Sequence, residues 1–291
     1  MRADLSGGGG HLIVLAWCCG LRIAAGTVLL SLLVGPRPAS GATGPHSTVD
    51  LVAEQSAVFA AQPFWLGLQF RLDPGWHIYW VNPGDSGQPP RIKWSLPAGF
   101  SAGPLLWPTP QRIEDHSLID YGYLDEVLLP VEVTPPANLS AGSEIQISGT
   151  VSWLICRDEC QPAHAPLSLS LPVRKDAEDA PASAHALFAR ARAEVPSPAP
   201  KTWKVAASLK SNHFVLTVDT GITEKKVAFF PLAANQIENA AGQKVNPTAH
   251  GVQLELVKSD QLLKPPARLV GVLRLGTRQG YVIDAPIQTS K

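Results

Sequence analysis

Apolar and polar side chains alternate along several short segments of the chain, the pattern of half-buried β-strands. The alternation is seen in "FWLGLQFRL" (64–72), in "EIQISGTV" (144–151) and in "PLSLSLPV" (166–173). A period of two places every second side chain on the same face of a strand. Turn-forming sequences such as "DPGW" (73–76) and "LSAGS" (139–143) separate these segments. Many short strands with such turns predict an antiparallel β-sandwich.

The alternation stops at Arg174 and resumes at Trp203. Residues 182–194 can form a helix, and the proline-rich "VPSPAP" follows directly. We find no catalytic constellation in the strand-like runs after Trp203. We predict an all-β fold of two immunoglobulin-like antiparallel β-sandwich domains, at 48–175 and 203–288, joined by a helical, proline-rich linker at 176–202.

The aromatic segment "GWHIYW" (75–80) belongs to one of the predicted strands. At strand spacing Trp76, Ile78 and Trp80 share one face, which favours the core over a ligand surface. His77 falls on the opposite face as a surface or packing residue. The "NPGD" sequence that follows at 82–85 is typical of a turn.

The N-terminus has the pattern of a secretory signal. A mostly apolar run from Leu12 to Val34 is broken by Arg22, and its core, Ile23 to Val34, is shorter than the roughly 20 residues that span a bilayer. Small residues then offer a cleavage site near Ala42. We therefore expect residues 1–42 to be a signal peptide and the mature protein to be exported; the alternative is an uncleaved anchor.

Charge excludes one class of partner. The chain has 24 basic and 24 acidic residues, a formal net charge of +0, and only 16% charged residues. No basic surface for nucleic acid follows from this composition, so we expect no nucleic-acid partner.

Cysteine use points to a single pair. Cys18 and Cys19 would leave with the signal peptide, and Cys156 and Cys160 remain in "SWLICRDECQP" (152–162). On one extended strand their Cα atoms would stand about 13 Å apart, beyond the roughly 4.4–6.8 Å of a disulfide. Because the flanks are strand-like, a tight hairpin tip with the cysteines facing each other at its base fits better than a helical turn.

Three uses of this pair are open. A static disulfide in a structural or interaction β-sandwich would stabilise little, because its closed loop is short. Copper or zinc binding would combine both cysteines with His164 and with His77 or His116. A redox couple is favoured by the local, exposed position, which is typical of labile disulfides.

Three separated sequences carry a resemblance to a known family. "GWHIYWVNPGDSGQPP" (75–90), "YGYLDEVLLPVEV" (121–133) and "GTVSWLICRDECQP" (149–162) occur in this order and spacing. They resemble the N-terminal periplasmic domain of the thiol:disulfide interchange protein DsbD, particularly its ScsB-like branch. The β-rich segment after Trp203 is similar to the second immunoglobulin-like module of that branch.

The resemblance implies thiol-disulfide exchange of the protein-disulfide reductase type, with Cys156 and Cys160 as the catalytic residues. Electrons would come from a membrane-embedded thiol reductase, which could hold the protein at the membrane surface. They would pass to oxidised periplasmic thioredoxin-fold proteins. No cofactor and no metal is implied.

The sequence departs from the family in two respects. The multi-span membrane domain and the C-terminal thioredoxin-like domain of full-length members are missing, so the chain is either a stand-alone or split version or a truncated form. The cysteine spacing is also narrower than in the best-known members. In the family a loop caps the cysteines. The corresponding segment here, "PQRIEDHSLIDYGY" (110–123), is polar and aromatic, and it is either a mobile cap or an ordinary connecting loop.

Overall fold

A computed structural model describes residues 41–115, 117–175, 184–277 and 279–289, without the side chains of Asp115 and Thr289. The predicted signal peptide, with Cys18 and Cys19, therefore falls outside the described residues except for its last two positions. The described residues belong to one compact unit. No helix among them is long and apolar enough to cross a membrane.

Strands make up most of the described residues, as the alternation predicts. The first eleven are β1 (Ala42–Gly44), β2 (Ser47–Ala53), β3 (Phe64–Leu72), β4 (His77–Gly84), β5 (Arg91–Ser95), β6 (Ser101–Ala102), β7 (Gln111–Asp115), β8 (Leu118–Leu124), β9 (Glu126–Thr134), β10 (Glu144–Cys156) and β11 (Cys160–Pro172). After helix α1 (His185–Glu194) come β12 (Ser197–Pro198), β13 (Lys204–Lys210), β14 (His213–Asp219), β15 (Val227–Pro231), β16 (Lys244–Thr248), β17 (Gly251–Val257), β18 (Arg268–Leu275) and β19 (Gln279–Thr289). The fold is all-β and immunoglobulin-like, as predicted.

Two sheets face each other in the first half of the chain. The first sheet has the order β1-β2-β3-β9-β6, and the second has the order β11-β10-β4-β8-β7 with β5 beside β10. Their facing side chains form one core that contains Trp76, Ile78 and Trp80, which confirms the prediction for these residues. In the second sheet β11 is an edge strand, so the β10–β11 hairpin lies at the rim of the sandwich.

The third sheet contains the strands after α1, in the order β15-β18-β19-β13-β14-β17-β16 with β12 beside β19. It encloses its own apolar cluster, which includes Phe214, Leu254 and Ile283. Phe230 and Val272, however, belong to the core of the first half. Phe230 makes edge-on contacts with Trp80 and Tyr121, at ring-centroid distances of 6.3 and 5.2 Å. The two halves are therefore packed together.

Helix α1 is the helix expected within 182–194, and it packs against the first half. Phe188 and Ala191 are buried with Leu128 in a small apolar cluster. Arg192 donates from both terminal nitrogens to the two carboxylate oxygens of Glu54, each at 2.6 Å. This paired hydrogen bond, helped by His185, lowers the pKa of the nearly buried Glu54.

Glu54→Gln is expected to lower the free energy of unfolding at neutral pH by about 1–3 kcal/mol, because it removes a charge-assisted bond at a buried position. A carboxyl with a lowered pKa in the folded state stabilises above its unfolded pKa and loses that contribution as the pH falls through its folded pKa. The difference between wild type and variant should therefore disappear in acid. Urea unfolding at neutral and acidic pH measures it, with exposed Glu144→Gln as the control. A constant difference at both pH values would contradict the assignment.

Candidate functional site

The two cysteines close the tip of the β10–β11 hairpin with a disulfide. Cys156 and Cys160 are directly opposed in the antiparallel register, with their Cα atoms 4.2 Å apart. The residues between them form the tip, where the Arg157 N–H donates to the Glu159 carbonyl at 3.2 Å. The hairpin geometry expected from the sequence is confirmed.

The two sulfurs have different surroundings. Cys156 is completely buried, with 0% of its surface exposed, whereas Cys160 is exposed. Ile155 points into the sandwich core, and successive side chains on a strand point to opposite faces. Cys156 therefore lies on the outer face of the second sheet. His77, which opposes it in the register, lies on the same face.

Tyr79 covers the outer face beside the disulfide. Its hydroxyl lies 3.6 Å from the Cys160 sulfur and 3.2 Å from the Ser86 hydroxyl. The loop between β4 and β5, residues 85–90, packs over the Tyr79 ring. At Gly87 an added Cβ would collide with this ring, and its φ of +74° disfavours other residues as well.

Hydrogen bonds fix this β4–β5 loop to β8. Asp120, which is 0% exposed, accepts from the backbone N–H of Ser86 at 3.0 Å. Its two carboxylate oxygens each lie 2.9 Å from the Ser86 hydroxyl. Asp85 in turn accepts from the backbone N–H of Ile119 at 2.8 Å. Residues 82–85 are thus the end of a strand and an anchored turn.

The second half of the chain also holds this loop. Asn239 donates to Asp85 at 2.8 Å and accepts from the Tyr121 hydroxyl at 2.7 Å. Asn82 donates to the carbonyl of Pro231 at 2.7 Å. Burial raises the pKa of Tyr121, so its hydroxyl remains a donor in this arrangement. The position of Ser86 next to Tyr79 therefore depends on both halves.

His77 is buried, which agrees with the packing position that the sequence left open beside a surface one. Its exposed fraction is 2%, and its Nε2 lies 3.4 Å from a carboxylate oxygen of Asp120. That nitrogen has no hydrogen-bond partner within the described part of the chain. Its ring meets the Tyr79 ring edge-on at 5.1 Å. A buried imidazole and a buried carboxylate therefore lie behind the disulfide.

The hairpin tip presents charges above a stack of rings. The Arg157 guanidinium lies 5.1 Å from the centre of the Trp76 ring, on which His46 stacks at 3.8 Å. Arg157 also donates to Asp158 at 2.8 Å. Both charged groups are exposed, so a protein that reaches Cys160 meets them first.

Comparison with protein families gives one match, to "Thiol:disulfide interchange protein DsbD, N-terminal", over residues 48–172. Residues 48–172 therefore form a DsbD-like N-terminal domain. The match includes the disulfide together with His77, Tyr79, Ser86 and Asp120. A comparison with curated protein sequences found no significant match.

One solved structure shows the same fold as this DsbD-like N-terminal domain and the strands that follow it. The N-terminal periplasmic domain of ScsB from Proteus mirabilis is 20% identical and superimposes with a TM-score of 0.64, over 84% of this chain and 97% of that one. The yeast GGA1 GAE domain is 9% identical, with a TM-score of 0.28 over 47% of this chain and 100% of its own. Only the first supports a conclusion, and it concerns the fold.

The segment interpreted as a cap or a connecting loop has another structure in this DsbD-like N-terminal domain. Residues 111–115 and 118–124 are strands β7 and β8, which pair with each other. Leu124, at the end of β8, pairs with His77 near the disulfide, and the β7–β8 turn lies at the other end of β8. The β7–β8 strand pair therefore replaces the loop that the sequence predicted at 110–123, apart from His116, which lies outside the described residues. The β4–β5 loop is the segment that packs next to Tyr79.

The alternative of a metal site has no support from the described residues. Among 41–115, 117–175, 184–277 and 279–289, no group of three or more His, Cys, Asp or Glu side chains could hold a metal ion. His164 lies on β11 opposite Ser152, several residues along the hairpin from the disulfide. His116 lies outside the described residues.

Tyr79, Ser86 and Asp120 were not expected from the sequence to be neighbours of the cysteines. Their sequence separations from Cys160 are large, so no local pattern joins them. One signal was present: "NPGDSG" is longer and more polar than a turn between two strands requires.

Proposed function

We propose that Cys156 and Cys160 form a reversible redox couple that passes reducing equivalents to oxidised proteins in the periplasm. A membrane-embedded thiol reductase is the proposed donor, and thioredoxin-fold proteins are the proposed acceptors. The match of residues 48–172 to the DsbD N-terminal family supports thiol:disulfide interchange in general. The observation that carries the proposal is the pairing of one exposed and one buried sulfur at a rim of the sandwich.

Exposure assigns different roles to the two cysteines. In thiol-disulfide exchange the attacking sulfur, the attacked sulfur and the leaving sulfur lie in line. A cysteine can take part in such an exchange with another protein only if its sulfur is accessible to that protein. Cys160 is therefore the residue that bonds to partners, and Cys156 is the residue that resolves the mixed disulfide. Burial of Cys156 protects the resolving sulfur from other thiols.

The delivery of electrons follows ordinary exchange chemistry. Cys160 loses its thiol proton to water, and its thiolate attacks one sulfur of the partner disulfide. The partner's S–S bond breaks, and its other sulfur leaves as a thiolate with the electron pair. Cys156 also loses its thiol proton to water, and its thiolate attacks the Cys160 sulfur and forms the internal disulfide. The second partner sulfur leaves as a thiolate, and both partner thiolates take up a proton from water, so the partner is released as a dithiol.

The same steps in reverse order reduce the Cys156–Cys160 disulfide again. A donor thiolate attacks the exposed Cys160 sulfur, and Cys156 leaves as a thiolate that takes up a proton. The second donor thiolate then attacks the donor sulfur that is bonded to Cys160, and Cys160 leaves as a thiolate that takes up a proton. The donor is oxidised to a disulfide, and both cysteines of this domain end as thiols.

Trapping in the host tests this assignment. Cys156→Ser should accumulate mixed disulfides through Cys160, because no second sulfur can resolve them. Cys160→Ser should accumulate few, because the remaining sulfur is buried. Non-reducing gels and mass spectrometry of affinity-purified protein detect the adducts, and the variant lacking both cysteines is the control. Equal trapping by both single variants, or none by either, would refute the proposed exchange.

A further inference from the structure

Asn239, in the second half of the chain, bonds to the β4–β5 loop beside the exposed sulfur. Its side-chain amide nitrogen donates to Asp85 Oδ1 at 2.8 Å, and its amide oxygen accepts from the Tyr121 hydroxyl at 2.7 Å. Asn239 is 8% exposed and Tyr121 is 1% exposed. The asparagine amide suits both partners, because it carries a donor and an acceptor on one short side chain.

Asp85 connects Asn239 to the first half of the chain. Its other carboxylate oxygen accepts from the Ile119 N–H at 2.8 Å, and its own backbone N–H donates to the Ile119 carbonyl at 3.0 Å. The start of the β4–β5 loop is therefore fastened to β8 and to the second half through the same residue.

Asn82 gives the loop a second attachment to the second half. Its amide nitrogen donates to the Pro231 carbonyl at 2.7 Å, and its amide oxygen accepts from the Gly84 N–H at 3.2 Å. Asn82 is 3% exposed, so this bond to Pro231 has little competition from water. Two asparagines thus join the halves of the chain at the two sides of residues 83 and 84.

The loop held in this way borders the cysteine pair through Tyr79. Gly87 lies against the Tyr79 ring so closely that an added Cβ would collide with it. The Ser86 hydroxyl lies 3.2 Å from the Tyr79 hydroxyl, which in turn lies 3.6 Å from Cys160 Sγ. A continuous series of contacts therefore leads from Asn239 to the exposed sulfur.

We propose that Asn239 is a positioning residue of the redox site, which acts through Asp85. By fixing the β4–β5 loop against Tyr79, it limits the directions from which another molecule reaches the Cys160 sulfur. This inference rests on the proposed redox role of Cys160. It gives the second half of the chain a part in the exchange: it supports the loop that a partner protein meets beside the disulfide.

Hydrogen exchange of the Ser86 amide measures how firmly the loop is held. This N–H donates to Asp120 at 3.0 Å and exchanges when the loop opens. Asn239→Asp keeps the size of the side chain and an acceptor for Tyr121, but it no longer has a donor for Asp85. In the oxidised full chain, NMR should show exchange at Ser86 about tenfold faster in this variant.

Exchanging the donor and the acceptor should restore the bond. Asp85→Asn alone should also speed exchange at Ser86, because its amide group meets a donor either at Asn239 or at the Ile119 N–H. In the double variant Asp85→Asn/Asn239→Asp, the amide at position 85 can donate to the carboxylate at position 239 and still accept from Ile119. Exchange should then return to within about twofold of wild type.

Asn246→Asp is the matched control. Asn246 also lies in the second half, and its amide donates to the Glu255 carboxylate at 2.9 Å between β16 and β17. The same chemical change there removes a bond of the same kind, but it should leave exchange at Ser86 unchanged.

The effect on the sulfur is measured with two maleimides of different size. The reduced full chain reacts with N-ethylmaleimide or with a maleimide that carries a long polyethylene glycol chain, and mass spectrometry follows the loss of the unmodified Cys160 peptide. The ratio of the two rates cancels any change in the reactivity of the thiol itself. Asn239→Asp should raise the ratio of bulky to small reagent about threefold, and the double variant should restore it.

Three results would overturn the proposal. They are unchanged exchange at Ser86 in Asn239→Asp, a double variant that is no better than the single variants, and an unchanged ratio of maleimide rates despite faster exchange. A general loss of stability would not be reversed by the double variant, so the restored bond separates positioning from folding. These measurements need no partner protein, so the loop can respond as expected even if trapping fails, and the two hypotheses fail independently.

Discussion

In the reduced protein, iodoacetamide is expected to alkylate Cys160 at least about 100-fold faster than Cys156, because the buried thiol reacts only through local opening. Cys156 is 0% exposed beneath the outer-face residues, and Cys160 is exposed at the start of β11. Trypsin cleaves after Arg157, between the two cysteines, so separate peptides report the two rates.

The same measurement in denaturant is the control for intrinsic reactivity. Both thiols are then open to solvent, and the two rates should approach each other. If the rates in the folded protein differed by less than about threefold, burial would not protect Cys156. The division into an attacking and a resolving cysteine would then lose its basis.

Phe230→Ala is expected to lower the free energy of unfolding by about 3–5 kcal/mol, the range for deleting a buried phenyl ring from a packed core. Phe230 is 1% exposed and lies edge-on to Trp80 and Tyr121. The guanidinium of Arg274 lies 5.1 Å from the centre of its ring. The cavity left by the ring would be lined by large side chains that have few rotamers with which to fill it.

Leu263→Ala is the matched control for this variant, because it removes an apolar side chain that is 98% exposed. Its effect should stay within about 0.5 kcal/mol. Urea unfolding followed by tryptophan fluorescence measures both. A cost below about 1 kcal/mol for Phe230→Ala would mean that the two halves of the chain are not held together through this ring.

The features that the sequence predicted correctly depend on neighbouring residues. The alternation in 64–72 and 144–151 corresponds to strands β3 and β10 because a period of two is a property of one segment. The hairpin tip could also be predicted from the sequence, because the reach of a disulfide and the strand-like flanks leave few ways to bring Cys156 and Cys160 together.

The features that were missed depend on residues far apart in the chain. Asp120 and Ser86 are 34 positions apart, and Asn239 and Asp85 are 154 apart. The expectation for 110–123 failed because polar and aromatic residues were interpreted as a loop. In the fold Tyr121 and Tyr123 are buried on β8, and β7 pairs alongside. Composition alone does not distinguish a polar loop from an edge hairpin.

The disulfide joins only the last residue pair of the antiparallel β10–β11 hairpin. The register joins Glu144 to Pro172 at one end and Cys156 to Cys160 at the other, with every position between them paired. Reduction therefore removes a crosslink from a hairpin that the remaining pairs already hold together. Both redox forms should offer nearly the same surface to other proteins. A partner that binds both forms equally does not shift the equilibrium between them. The oxidised and the reduced form would then compete for the same docking surface on a partner. The net direction of electron transfer would follow the abundances and reduction potentials of the proteins, and not the selective release of one form.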